Sequence, residues 1–118
     1  MKRILLLEDD QPIREAFQVA FRNSEYELIL LDSGDKIMNN DIEAPDVFIL
    51  DKNISGTDGL EVCRYIKQCE VYKNVPVIML SANPDIVKLA GDAGADGVIE
   101  KPFSLKRLRE TLIMLTIC

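Results

Sequence analysis

Four apolar residues in a row closed by a carboxylate, Val47-Phe48-Ile49-Leu50-Asp51, constrain this chain more than any other stretch. A run without polar alternation belongs to a strand covered on both faces, as in the centre of a parallel sheet flanked by helices. Pro45 stands just before it, and Lys52-Asn53-Ile54-Ser55-Gly56-Thr57-Asp58-Gly59 follows as a cluster of small and turn-forming residues. Asp51 therefore marks the strand's carboxyl exit, the edge where open α/β sheets place ligands and chemistry. An isolated Asp there is better explained as a cap on the next turn. The rest of the chain decides between the two readings.

The pattern recurs. Arg3-Ile4-Leu5-Leu6-Leu7 is a short apolar run that ends in Glu8-Asp9-Asp10. Pro12 then suits a first helical turn, and Ile13, Ala16, Phe17, Ala20 and Phe21 share one helical face up to Asn23-Ser24. Tyr26 to Leu31 reads as a second strand, and Asp32-Ser33-Gly34-Asp35 opens a short helix around Lys36 to Asn39. Beyond the Asp51 loop, Leu60, Cys63 and Ile66 mark the inner face of a third helix, with Glu61, Arg64 and Lys67 toward water. Val77-Ile78-Met79-Leu80 is a fourth buried strand ending in Ser81-Ala82. Asn83-Pro84-Asp85 starts a short helix lined by Ile86, Leu89, Ala90 and Ala93 and stopped by Gly94. A brief fifth strand, Gly97 to Glu100, runs into Lys101-Pro102-Phe103. Ser104 caps a last helix whose inner face includes Leu105, Leu108, Leu112 and Leu115. Five strands alternating with five helices predict a three-layer, doubly wound α/β domain with a parallel sheet in the order 2-1-3-4-5.

The length of 118 residues suits one domain over 1–118, with 47% hydrophobic content for its core. A net charge of −6 opposes strong attraction to nucleic acid or anionic lipid, so neither direct nucleic-acid binding nor a membrane is expected. Three cysteines without CxxC spacing and the absence of histidine argue against a disulfide framework or a zinc site, and point to a reducing, cytoplasmic compartment. Ile4 to Leu7 is too short for a signal-peptide core or a membrane span.

In the predicted strand order the first and third strands are neighbours, which gathers Glu8, Asp9 and Asp51 at one edge, with Ser81 and Lys101 arriving from the other side. Two like charges at ~4 Å repel by about 4 kcal/mol at an effective dielectric near 20, so the group requires compensation. A proton, Lys101 or a metal ion would each provide it. An all-oxygen, acid-rich site suits a hard cation, Mg²⁺ better than Ca²⁺ where several waters are kept. In that case Asp9 and Asp51 are direct ligands, the Asn53 carbonyl turns toward the ion, and Glu8 acts through a water.

These residues, at five places in order along the chain, resemble the receiver domain of two-component response regulators. The places are Glu8-Asp9, Asp51, Asp58-Gly59, Ser81-Ala82, and Gly94-Ala95-Asp96 leading to Lys101-Pro102-Phe103. The resemblance implies a flavodoxin-like fold and a phosphoacceptor Asp51, supplied by a phosphohistidine on a histidine kinase or histidine phosphotransfer protein. It implies Mg²⁺ at Glu8, Asp9, Asp51 and the Asn53 carbonyl, with Ser81 and Lys101 on phosphoryl oxygens and a cis Lys101-Pro102 peptide. It implies a signalling domain rather than an enzyme acting on a separate substrate, though one that catalyses its own phosphoryl transfer and slow dephosphorylation. Its output goes to a downstream protein or a fused output domain.

The chain departs from the family pattern at Ser55, where a proline is usual; at Val98, where an aromatic is usual; and in a Ser81 to Gly94 segment about two residues short. Rival readings are weaker. A pseudo-receiver that binds without phosphorylation would not need intact acids, hydroxyl and lysine. A phosphatase of the haloacid-dehalogenase type would carry a second Asp where Asn53 stands. A flavodoxin-like cofactor binder would place a hydroxyl- and glycine-rich loop after the first strand, where this chain has acids. Gly91, Gly94 and Gly97 do not have the spacing of a dinucleotide-binding motif and read as cap and turn.

Overall fold

The computed structural model describes residues 2–54 and 56–116. Five parallel strands form one sheet in the order 2-1-3-4-5: β1 Lys2–Leu7, β2 Tyr26–Leu31, β3 Val47–Asp51, β4 Val77–Ser81 and β5 Gly97–Glu100. The helices are α1 Gln11–Phe21, α2 Asp35–Met38, α3 Gly59–Gln68, α4 Ile86–Ala93 and α5 Leu105–Thr116. Architecture and strand order agree with the sequence reading. The stretch after Asp51 holds more structure than a loop, because Asn53–Ile54 and Thr57–Asp58 pair as a two-residue antiparallel hairpin.

The continuous apolar runs are explained by two cores. Leu5, Leu7, Phe48, Leu50, Val77 and Met79 pack on one face with Leu60, Cys63 and Ile66 of α3 and Ile86 and Ala90 of α4. Ile4, Leu6, Val47, Ile49, Ile78 and Leu80 pack on the other with Phe17 and Phe21 of α1 and Leu108 and Leu112 of α5. Each strand residue thus has an apolar layer to enter, and at roughly 25 cal/mol per Å² of apolar surface this two-sided burial is the main force holding the layers.

Local signals set the helix limits. Asp10 accepts the Ile13 N–H at 3.3 Å to start α1, and Asp58 accepts the Leu60 N–H at 2.9 Å to start α3. Ser104 accepts the Arg107 N–H at 3.0 Å to start α5, as read from the sequence. Gly94 ends α4 at a φ of 89°, a conformation a side chain would strain.

Two expectations fail. Lys67 does not face water: its ammonium lies 2.6 Å from Asp96 and donates to the Val75 carbonyl at 2.9 Å, partners distant in sequence. Leu105 is 38% exposed because it opens α5, before the helix has settled onto the sheet at Leu108. The Ser55 departure lies outside the described residues. Among the described residues no helix is long and apolar enough to cross a membrane.

Candidate functional site

Everything chemically distinctive gathers at the sheet's carboxyl edge. The Glu8 N–H donates to the Leu31 carbonyl at 3.1 Å, which extends the β1–β2 pairing one residue and carries Glu8 inward until its side chain is fully buried. Its Oε1 accepts the Asp10 N–H at 3.1 Å, and its Oε2 lies 3.5 Å from Lys101 Nζ. Asp51, the last residue of β3, is also buried, and its Oδ1 receives Lys101 Nζ at 3.0 Å. Asp9 is exposed beside them. Glu8, Asp9 and Asp51 each offer a carboxylate oxygen, and these lie within 4.8 Å of one another.

The crowding perturbs Glu8. Burial first, then the neighbouring Asp51 charge, pushes its carboxyl up from 4.5 to about 7, while the Asp10 N–H and Lys101 pull the other way. Lys101 reaches two of the three acids, and a divalent cation would add positive charge where all three converge. The donor set fits such an ion, since three convergent carboxylates without nitrogen or sulfur are the ligands of a hard cation.

Lys101 is held by its backbone, whose N–H donates to the Ser81 carbonyl at 2.9 Å, and the Lys101-Pro102 peptide is cis. Ser81 ends β4 almost fully buried, and its Oγ accepts the Asn83 N–H at 2.9 Å. It follows Val77 and Met79 in strand alternation, so it belongs to the α3 and α4 side of the sheet, whereas Asp51 follows Val47 and Ile49 toward α1 and α5. Asn53, two residues beyond Asp51, is exposed in the small hairpin, where its backbone pairs with Asp58.

The sequence reading missed Arg14 and the contact that Gly59 makes. Gly59 passes so close to β3 that a Cβ there would lie 2.1 Å from the Asp51 carbonyl oxygen, so only glycine lets the hairpin fold back, with its N–H on the Lys52 carbonyl at 2.8 Å. Asp58-Gly59 signalled a turn, but not that contact. Arg14, on α1, sends one Nη1 to the Glu8 carbonyl at 2.7 Å and to the Leu31 carbonyl at 3.3 Å. No spacing rule marks it, because both acceptors are backbone atoms.

Fold and edge together define a doubly wound α/β domain that assembles acids, a hydroxyl and a lysine at the exits of neighbouring strands. The family model for the response regulator receiver domain matches residues 4–113, and the chain belongs to that family. The phosphate regulon transcriptional regulatory protein PhoB of Pseudomonas aeruginosa is 36% identical over 110 residues, covering 91% of this chain and 48% of PhoB. This chain spans about half the length of the curated relatives it matches. Among solved structures, the phosphorylated cyanobacterial phytochrome response regulator RcpA is 27% identical with a TM-score of 0.83, covering 99% of this chain and 96% of RcpA. The receiver domain of sensor histidine kinase PA1611 from Pseudomonas aeruginosa, solved with a magnesium ion in its active-site cleft, has a TM-score of 0.88 at 24% identity and covers 99% and 98% of the two chains. That last likeness speaks for the fold.

Proposed function

We propose that Asp51 accepts a phosphoryl group from a phosphohistidine on a histidine kinase or histidine phosphotransfer protein. The observation that carries the reading is the environment of Asp51: a buried carboxylate at a strand exit, 3.0 Å from Lys101 and within 4.8 Å of two further acids. The carboxylates of Glu8, Asp9 and Asp51 and the Asn53 carbonyl would hold Mg²⁺, which supplies positive charge against the phosphoryl oxygens.

The chain's own groups do the rest. An Asp51 oxygen attacks phosphorus, the phosphorus–nitrogen bond breaks, and the imidazole leaves with the bonding pair and takes up a proton; Asp51 becomes an acyl phosphate. Lys101, paired with the carboxylate beforehand, turns to the new phosphoryl oxygens. The Ser81 Oγ already accepts the Asn83 N–H, which leaves its own proton free to donate. A phosphoryl group on Asp51 that engages Ser81 would bridge a side chain of the α1/α5 layer and one of the α3/α4 layer. That bridge gives the two states different contacts, the requirement for switching a downstream protein or output domain. Slow loss of the group to water would reset the domain, in the cytoplasm where such phosphodonors work.

The test is intact-mass spectrometry with Mg²⁺ and acetyl phosphate. One added phosphoryl group on the wild type and none on Asp51→Asn is expected. An unchanged wild-type mass with Mg²⁺ bound would sink the phosphoacceptor reading.

A further inference from the structure

We infer that Arg14 is a positioning residue for the metal-binding acids, an inference that rests on the proposed Mg²⁺ site. Asp9 lies exposed in the turn between the end of β1 and the start of α1. What fixes that turn is a ring of contacts. The Glu8 carboxylate holds the Asp10 N–H at 3.1 Å, the Asp10 carbonyl accepts the Arg14 N–H at 3.0 Å, and the Arg14 guanidinium returns to the Glu8 carbonyl at 2.7 Å. The same nitrogen reaches the Leu31 carbonyl at 3.3 Å, which ties the ring to the neighbouring strand. Asp9 sits inside this ring, between two residues whose backbone it holds. The guanidinium's bonds to carbonyls are charge-assisted, which makes Arg14 a strong member of the ring.

Position and charge make opposite predictions for this residue. Arg14 is a cation close to an acidic cluster, so if only its charge mattered, removing it would strengthen Mg²⁺ binding. The bonds of its guanidinium run to the backbone carbonyls of Glu8 and Leu31. Positioning therefore predicts that removal weakens binding despite the loss of a positive charge.

The test is calorimetric titration of Mg²⁺ into wild type, Arg14→Ala, Arg14→Gln and Arg109→Ala. Arg109 is the control, because it also donates from a guanidinium to a backbone carbonyl, that of Ala20 at 3.2 Å, away from the acids. Arg14→Ala should lose roughly 10-fold in Mg²⁺ affinity, the low end for a residue that orients metal ligands. Arg14→Gln, uncharged but still a donor, should lose less, and Arg109→Ala should bind as the wild type does. In metal-free protein the amide signals of Glu8, Asp9 and Asp10 should shift in Arg14→Ala and stay in place in Arg109→Ala. Unchanged or tighter binding by Arg14→Ala, or an equal loss in Arg109→Ala, overturns the positioning role while leaving the site reading intact. A wild type that binds no Mg²⁺ removes both.

Discussion

At the amino edge of the sheet Asp96 meets Lys67 at 2.6 Å and accepts the Val77 N–H at 2.8 Å, while Asp46 accepts the Arg3 N–H at 2.6 Å. Arg3 is shared there between Glu43 at 2.7 Å and Glu27 at 3.8 Å, but both of these acids are exposed, and Asp96 and Asp46 each hold a backbone donor. At the carboxyl edge Lys101 is shared between Glu8 and Asp51, with Asp9 beside them, and a buried acid is driven to about 7. Both ends belong to the same strands and rest on the same cores. The difference teaches that the burial of crowded acids, rather than their number, separates the working end from the supporting one.

If the amino edge is structural, breaking it should give the largest stability loss. Asp96→Ala leaves the Val77 N–H without its acceptor and the Lys67 ammonium with the Val75 carbonyl in place of an ion pair, at about 2 kcal/mol by urea unfolding. A loss under about 0.5 kcal/mol would show that water replaces the carboxylate and that the two ends are less different than their contacts imply.

The carboxyl edge should respond to pH with the sign of a strained acid. A carboxyl whose folded pKa stands above its unfolded one holds its proton more tightly when folded, so stability is fullest below 4.5 and is lost as pH rises toward about 7. Metal-free wild type should weaken across that window. Glu8→Gln should flatten the profile and end on the order of 1 kcal/mol more stable at pH 8, after allowance for screening. An identical slope in Glu8→Gln would assign the effect to other groups.

The smallest effect sharpens the comparison along α4, which runs from one edge toward the other. Its first residues follow Ser81 through Asn83, whose side chain holds the Asp85 N–H at 2.8 Å, and Asp85 itself makes no side-chain cap. Its far end is fixed at Gly94, against the Lys67 stem. Val98 is half-buried against the α3/α4 core, small and stiff at χ1. Beryllofluoride, a phosphoryl mimic, should therefore shift amides at 82–90, fading toward 94, and the shifts should vanish in Ser81→Ala but persist in Val98→Ala. Shifts centred on 98–108 and lost in Val98→Ala would place the response in β5 instead.

The strands were legible because runs such as Val47 to Leu50 have one physical explanation, and the helix faces because Phe17, Ile66 and Leu108 recur at helical spacing. The gathering of Glu8, Asp9, Asp51 and Lys101 followed from the strand order alone. Lys67 and Leu105 were misread because periodicity describes one element at a time: Lys67 is claimed by Asp96, 29 positions later in the numbering, and Leu105 lies where a helix has not yet met the sheet. Arg14 and the close approach at Gly59 were invisible for another reason. What they serve is backbone, and a carbonyl oxygen carries no letter in a sequence.

The Lys101 to Glu8 contact joins residues 93 positions apart, and Lys101 to Asp51 joins residues 50 apart. No single hairpin, helix pair or half of the sheet contains this trio. A nascent or partly unfolded chain therefore cannot present the site, however much secondary structure it has formed. The acids double as an inspection point: a partner that recognises them has also verified that the first and last strands of the domain are in place.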